Sequence, residues 1–192
     1  YVEPSDMEEI NRIAEMMESR TEELAELSSG RKEVEAAVDR WVWYAGWADK
    51  YQQVFSTVNP VSTSHFNFSV LEPTGVVAII APEKHGLLGL VSNVAPAVAG
   101  GNTCIVLASQ SLPLCAISFA EVLQASDFPA GVINVLTGHK DELLEPFASH
   151  MDVNAIVYGD SDSGASRRIQ ELAADNIKRV VLRGGIDWNS GA

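Results

Sequence analysis

The sequence predicts an α/β fold, a Rossmann-like parallel sheet with flanking helices, preceded by N-terminal helices and a protruding β-hairpin. Two observations carry this. From Gly75 onward, short apolar runs at 76–81, 104–107, 132–136, 155–158 and 180–182 alternate with helix-length segments at 87–99, 114–125, 141–149 and 163–174. Continuous apolar runs suit strands buried on both faces, and strand–helix alternation implies right-handed crossovers into a parallel sheet. Ahead of Gly75 the apolar residues recur at helical spacing, and then a polar, turn-rich stretch intervenes.

The first helix is predicted from Ser5, which forms a capping box with Glu8, through the apolar series Met7, Ile10, Ile13, Ala14, Met17, Leu24 and Leu27, ending at Ser28-Ser29-Gly30. A second spans about 31–51, with Val34, Ala37, Val38, Trp41, Tyr44, Ala45 and Ala48 on one face. The aromatic cluster Trp41, Trp43, Tyr44 and Trp47 is read as core or subunit packing, because aromatic rings mostly bury area, with a ligand surface as the alternative. In residues 54–72, His65-Phe66-Asn67-Phe68-Ser69-Val70 alternates polar and apolar, as a short strand or hairpin outside the main core does. The organisation expected is a helical segment at 1–53, a hairpin at 54–72 and the Rossmann-like unit at 73–192.

Composition narrows the function. The 192 residues carry a formal charge of −13, and residues 1–29 hold nine carboxylates against Arg12 and Arg20. An acidic chain without a basic stripe repels phosphate backbones, so no nucleic-acid partner is expected. Apolar stretches are short and broken by Gly, Asn and Pro, so no membrane span is expected. No charged segment followed by an apolar one opens the sequence, which reads as cytoplasmic. Cys104 and Cys115 sit in apolar runs without metal-ligand or disulfide spacing. His65, His85, His139 and His150 show no ligand spacing, so no metal site is expected. Glu83, Lys84 and His85 fall at the end of the first predicted strand of the sheet, where doubly wound folds bind ligands; they are read as a solvated loop, with a small-molecule site as the alternative.

Several motifs in order resemble the aldehyde dehydrogenases over about residues 43–185. They are Trp43-Tyr44-Ala45-Gly46-Trp47-Ala48-Asp49-Lys50, Glu72-Pro73-Thr74-Gly75, Ala95-Pro96-Ala97-Val98-Ala99-Gly100-Gly101-Asn102, and Phe128-Pro129-Ala130-Gly131-Val132-Ile133-Asn134-Val135-Leu136-Thr137-Gly138, followed by Ala148-Ser149-His150 and Asp152-Val153. The resemblance implies a cofactor-type sheet with an N-terminal helical part and an oligomerisation hairpin.

At the chemical positions the sequence departs from that pattern. Lys84 stands where the family has an oxyanion-stabilising Asn, and loss of one such donor typically costs about 10²–10³ in rate. Leu107 and Gln110 stand where the family has a Lys and a Glu that contact the cofactor ribose. Asp160 and Asp162 lie in the segment that faces the pyrophosphate, where carboxylates compete for the anion site. Leu182 or Arg183 stands where the family has its general base. The family's nucleophilic Cys lies tens of residues beyond Gly184-Gly185, and Cys104 and Cys115 are expected to be buried and inert.

The pattern resembles the truncated, non-catalytic C-terminal module of the two-module members known as family sixteen. It implies no catalytic, cofactor-binding or metal residues, no cofactor, and a structural or assembly role. The partner expected is an aldehyde dehydrogenase catalytic module or an identical chain, docked through the hairpin in an oligomer. The alternatives are a vestigial or regulatory dinucleotide-binding module, and a fragment of an active enzyme lacking its catalytic domain.

Overall fold

The computed structural model describes residues 7–190. Ser5 of the predicted capping box lies outside them. The N-terminal apolar series forms two helices, α1 (Met7–Ser19) and α2 (Thr21–Leu27), where the periodicity predicts one. The break falls at Arg20, whose amide donates to Met17 O and whose guanidinium pairs with Glu23 and Glu121 at 3.1 and 3.0 Å. No Gly or Pro marks that joint. Helix α3 (Arg31–Phe55) runs a turn longer than the periodicity predicts and buries Val34, Ala37, Trp41 and Ala45.

A two-stranded antiparallel hairpin follows, β1 (Thr57–Val58) against β2 (Phe68–Ser69). The sheet then begins: β3 (Val76–Ile80), α4 (Leu88–Ala99), β4 (Thr103–Leu107), α5 (Pro113–Ala125), β5 (Ile133–Leu136), α6 (Lys140–Ser149), β6 (Ala155–Tyr158), α7 (Ser163–Ala173), a 3-10 turn (Ala174–Asn176) and β7 (Arg179–Leu182). All five strands are parallel, in the order β5-β4-β3-β6-β7. The order reverses between β3 and β6, and in open parallel sheets that reversal leaves a crevice at the carboxyl edge.

Strand alternation divides the core. Val77, Ile79, Cys104 and Val106 face a layer built from α1 to α5, in which Trp41 stacks on Phe119 at 6.1 Å. Ala78, Ile80, Leu107 and Ile156 face Phe147, Ala148 and Ile169 of α6 and α7. The N-terminal helices therefore share one core with a face of the sheet. Burial is nearly complete in β3 and β6 and alternates with half-buried residues in β4, whereas β5 alternates half-buried and exposed residues and β7 is largely exposed. Both are edge strands, with a neighbour on one side only, so apolar sequence alone overstated their burial.

Two side-chain amides explain the corner motifs. Asn102 accepts from Gly75 N and donates to Ala97 O, tying the end of α4 to the entry of β3. Asn134 donates to Gly131 O and Cys104 O, fixing the start of β5. Among the described residues no helix is long and apolar enough to cross a membrane.

Candidate functional site at the carboxyl edge of the sheet

The register aligns Leu182, Tyr158, Ile80, Leu107 and Leu136 in one row across the carboxyl edge. At the switch between β3 and β6 lies a crevice of about 530 Å³, lined by 82–85, 159–161 and 185–188. Gly159 allows its two walls to meet, since a Cβ there would stand 2.7 Å from Pro82 Cδ and 2.9 Å from its nitrogen.

Glu83 is not the solvated loop residue that its sequence context suggests. Its carboxylate accepts from Ser109 Oγ at 2.9 Å, Gln110 N at 3.2 Å, Ser111 N at 3.0 Å and Ser111 Oγ at 2.8 Å, and pairs with Lys140 Nζ at 2.7 Å. The same ammonium pairs with Asp160, whose other oxygen accepts from Glu83 N at 3.1 Å. Residues 83, 109–111, 140 and 160 follow β3, β4, β5 and β6 respectively, so one knot ties four strand-to-helix loops together. Burial pushes the Glu83 carboxyl up, but the Lys140 ammonium and the bonds from Ser111 and Gln110 outweigh it and hold it at about 2.

The helix N-termini at this edge also hold the chain's own carboxylates. Buried Glu33, reaching over from α3, accepts from Leu87 N and Leu88 N at 3.0 Å each at the start of α4, and from Ser29 N at 2.7 Å. Asp162 caps α7, accepting from Gly164 N at 2.7 Å and Ala165 N at 3.0 Å. Backbone amides at helix N-termini are natural anion sites; at α4 and α7 they are occupied from within. Tyr158, at the end of β6, reports the resulting field. Its hydroxyl is pushed up to about 12, first by burial and then by the charges of Asp160, Asp162 and Glu83.

The residues singled out in the sequence fall as follows. Lys84 is exposed on the crevice wall, beside His85, which adopts a left-handed backbone at φ 57°. Leu107 is fully buried. Gln110 is exposed, and its side-chain oxygen accepts from Lys140 N at 3.4 Å. Asp160 is ion-paired, so of the two acids expected to face an anion it is Asp162 that sits on the helix amides. Leu182 ends β7 half-exposed, and Arg183 N donates to Tyr158 O. Cys104 and Cys115 are buried, and burial pushes their thiols up to about 12 and about 11, with the Glu33 charge adding to the second. Thiolate chemistry is unavailable to groups so placed. Sequence reasoning missed Lys140 and Glu33; a Glu amid the buried positions of α3 is the one signal that pointed to the latter.

The aldehyde dehydrogenase family model matches residues 7–187. The hydroxyisobutyraldehyde dehydrogenase of Mycolicibacterium austroafricanum is 37% identical over 185 residues, covering 92% of this chain and 36% of that protein. The NADP/NAD-dependent aldehyde dehydrogenase PuuC of Escherichia coli K12 is 33% identical over 186 residues, covering 92% and 37%. The chain thus spans little more than a third of these relatives. Among solved structures, PnpE in complex with nicotinamide adenine dinucleotide superposes with a TM-score of 0.87 at 30% identity, covering 93% of this chain and 38% of that one. The NAD+ complex of a Bacillus cereus aldehyde dehydrogenase superposes with a TM-score of 0.85 at 25% identity, with the same coverage. A single family accounts for the motifs, the strand order and the superpositions alike: the chain belongs to the aldehyde dehydrogenase family.

Proposed function

We propose that this chain is a non-catalytic structural and assembly module of an aldehyde dehydrogenase, with its cofactor edge closed by its own side chains. The observation that carries this reading is the Glu83–Lys140–Asp160 knot. In a ligand-binding Rossmann edge, loops and helix N-termini present free donors to phosphate. Here Glu33, Glu83 and Asp162 take those donors, and Leu107 offers no hydrogen bond in return. A dinucleotide-binding role is the second reading, favoured by the open crevice at the switch point and by the NAD complexes of similar proteins.

The assembly role rests on the hairpin. Val58, Phe66, Phe68 and Val70 are exposed, and Phe66 lies 5.5 Å from Phe68 between ring centroids. The opposite face is polar, with Asn59 donating to Asn67 and Ser69. Exposed strand edges pair with other chains unless covered. The partner we assign is a catalytic module of the same family or an identical chain.

The register also selects the test. Thr57 pairs with Ser69 and Asn59 N donates to Asn67 O, so Val58 and Phe68 form the non-hydrogen-bonded pair and turn their amides outward. Proline at Asn67 or Ser69 would damage the hairpin itself; Phe68→Pro removes an outward donor instead. Sedimentation velocity of Phe68→Pro, alone and mixed with a family catalytic module, is expected to show weakened association with an unchanged circular dichroism spectrum. Sedimentation like the parent's would eliminate the hairpin as the docking element.

A further inference from the structure

Two strand edges of this chain lack a neighbour. Strand β7 closes one side of the sheet. Arg179 N and Arg183 N donate to Asn154 O and Tyr158 O, so the two-residue alternation turns the amides and carbonyls of Val180 and Leu182 away from β6. Leu182 is 40% exposed, and Val181 and Ile186 beside it are exposed as well. The opposite edge, β5, packs Ile133 and Val135 against the helical layer, whereas β7 is largely exposed. The second free edge is the hairpin. Phe68 turns its amide outward from β2, and Phe66, Phe68 and Val70 stand exposed at alternate positions. From Phe55 to Leu71 the sequence has no Asp, Glu, Lys or Arg, and exposed Glu72 follows directly.

We propose that the hairpin of one copy adds as a further strand to β7 of a second copy, and that the exchange is reciprocal. The assignment rests on the assembly role proposed above and names its partner. Backbone geometry comes first: an unpaired edge is a template for a strand, and outward amides on both sides supply the ladder. Phe68 then stands opposite Val180 or Leu182 in a hydrogen-bonded pair, whose side chains share one face, so an exposed ring covers an exposed leucine. Charge selects the same site. Arg179 and Arg183 flank β7, and neither meets a carboxylate among the described residues; the Arg179 guanidinium lies 3.5 Å from Thr74 Oγ1. On a chain of net charge −13, this basic edge is where a second acidic chain is least repelled. Glu72, four residues beyond Phe68, is directed to the Arg179 end of β7 in an antiparallel pairing and to the Arg183 end in a parallel one. Reciprocal exchange covers both edges of both copies at once, as closed two-fold dimers do.

Sedimentation velocity of the full chain from about 1 to 300 μM is expected to show a monomer–dimer equilibrium with a dissociation constant of about 1–100 μM. Leu182→Pro removes an outward donor from an edge strand. It is expected to weaken self-association at least about tenfold with an unchanged circular dichroism spectrum. Glu72→Arg, a surface change that leaves both strands intact, is expected to weaken it about threefold at low salt. The contact itself is read by complementation. Phe68→Pro keeps its β7 edge and Leu182→Pro keeps its hairpin, so an equimolar mixture is expected to form a mixed dimer that neither variant forms alone. Docking onto a family catalytic module is measured separately, by the Phe68→Pro mixture described above, and stands whichever way self-association falls. A parent that stays monomeric throughout the range, a Leu182→Pro variant that associates like the parent, or a mixture that stays monomeric would overturn the assignment.

Discussion

Glu83 is a carboxylate satisfied from within the chain. In water a carboxylate is satisfied by solvent; at the end of β3 it is satisfied by the chain, through two serine hydroxyls, two amides and one ammonium. Lys140→Met would leave Glu83 and Asp160 facing each other without their cation. Breaking a fully buried pair costs about 3–5 kcal/mol, but the Glu83 side chain is 34% exposed, so solvent screening reduces this to about 1–3 kcal/mol. Urea denaturation at pH 7 measures it. The same residue sets a pH dependence. Its folded value of about 2 lies below the ordinary 4.5, so its contribution is complete above about 4.5 and disappears as pH falls towards 2. The urea midpoint of the parent is expected to drop across that window, and a Glu83→Gln variant is expected to lack this component of the drop. A parent and variant with parallel profiles would remove Glu83 from the account.

At the scale of elements, helix α4 depends on a residue from another helix. Its N-terminus is capped by Leu87, which has no side-chain acceptor, and the first amides are satisfied by Glu33 of α3. Unsatisfied buried donors cost about 1–3 kcal/mol, so Glu33→Ala is expected to destabilise by that amount, read from thermal or urea unfolding. Hydrogen exchange should quicken first at Leu87 and Leu88. A loss below about 0.5 kcal/mol, as for a surface change, would contradict the capping role. This element also marks what the sequence discloses. The strands and helices of the sheet were legible because apolar runs and turn residues are local signals. The ties between them were not: Lys140 lies 57 positions from Glu83, and Glu33 lies 54 from Leu87, so only the folded chain brings them together. Arg20 breaks the first helix through contacts with Met17, Glu23 and Glu121, without a breaker residue to announce it. The run 180–182 of β7 is as apolar in sequence as β6, yet its exposure follows from its place at the sheet edge.

For the whole molecule, the family fold carries a carboxyl edge whose donors are taken by the chain's own side chains. In the corner motifs Asn102 ties the end of α4 to the entry of β3, and Asn134 ties the start of β5 to its own loop and to β4. Positions 84, 107, 110, 160 and 162 instead carry residues that serve the chain or face solvent. Isothermal titration calorimetry of the intact chain with NAD and NADP tests this most directly. With the donors at α4 and α7 occupied and the field at Tyr158 negative, loss of about three contacts of about 1 kcal/mol each weakens binding by about 150-fold, which takes a dissociation constant of about 10 μM to about 1.5 mM. A dissociation constant tighter than about 10 μM for either dinucleotide would contradict a closed cofactor edge and establish the chain as a dinucleotide-binding module.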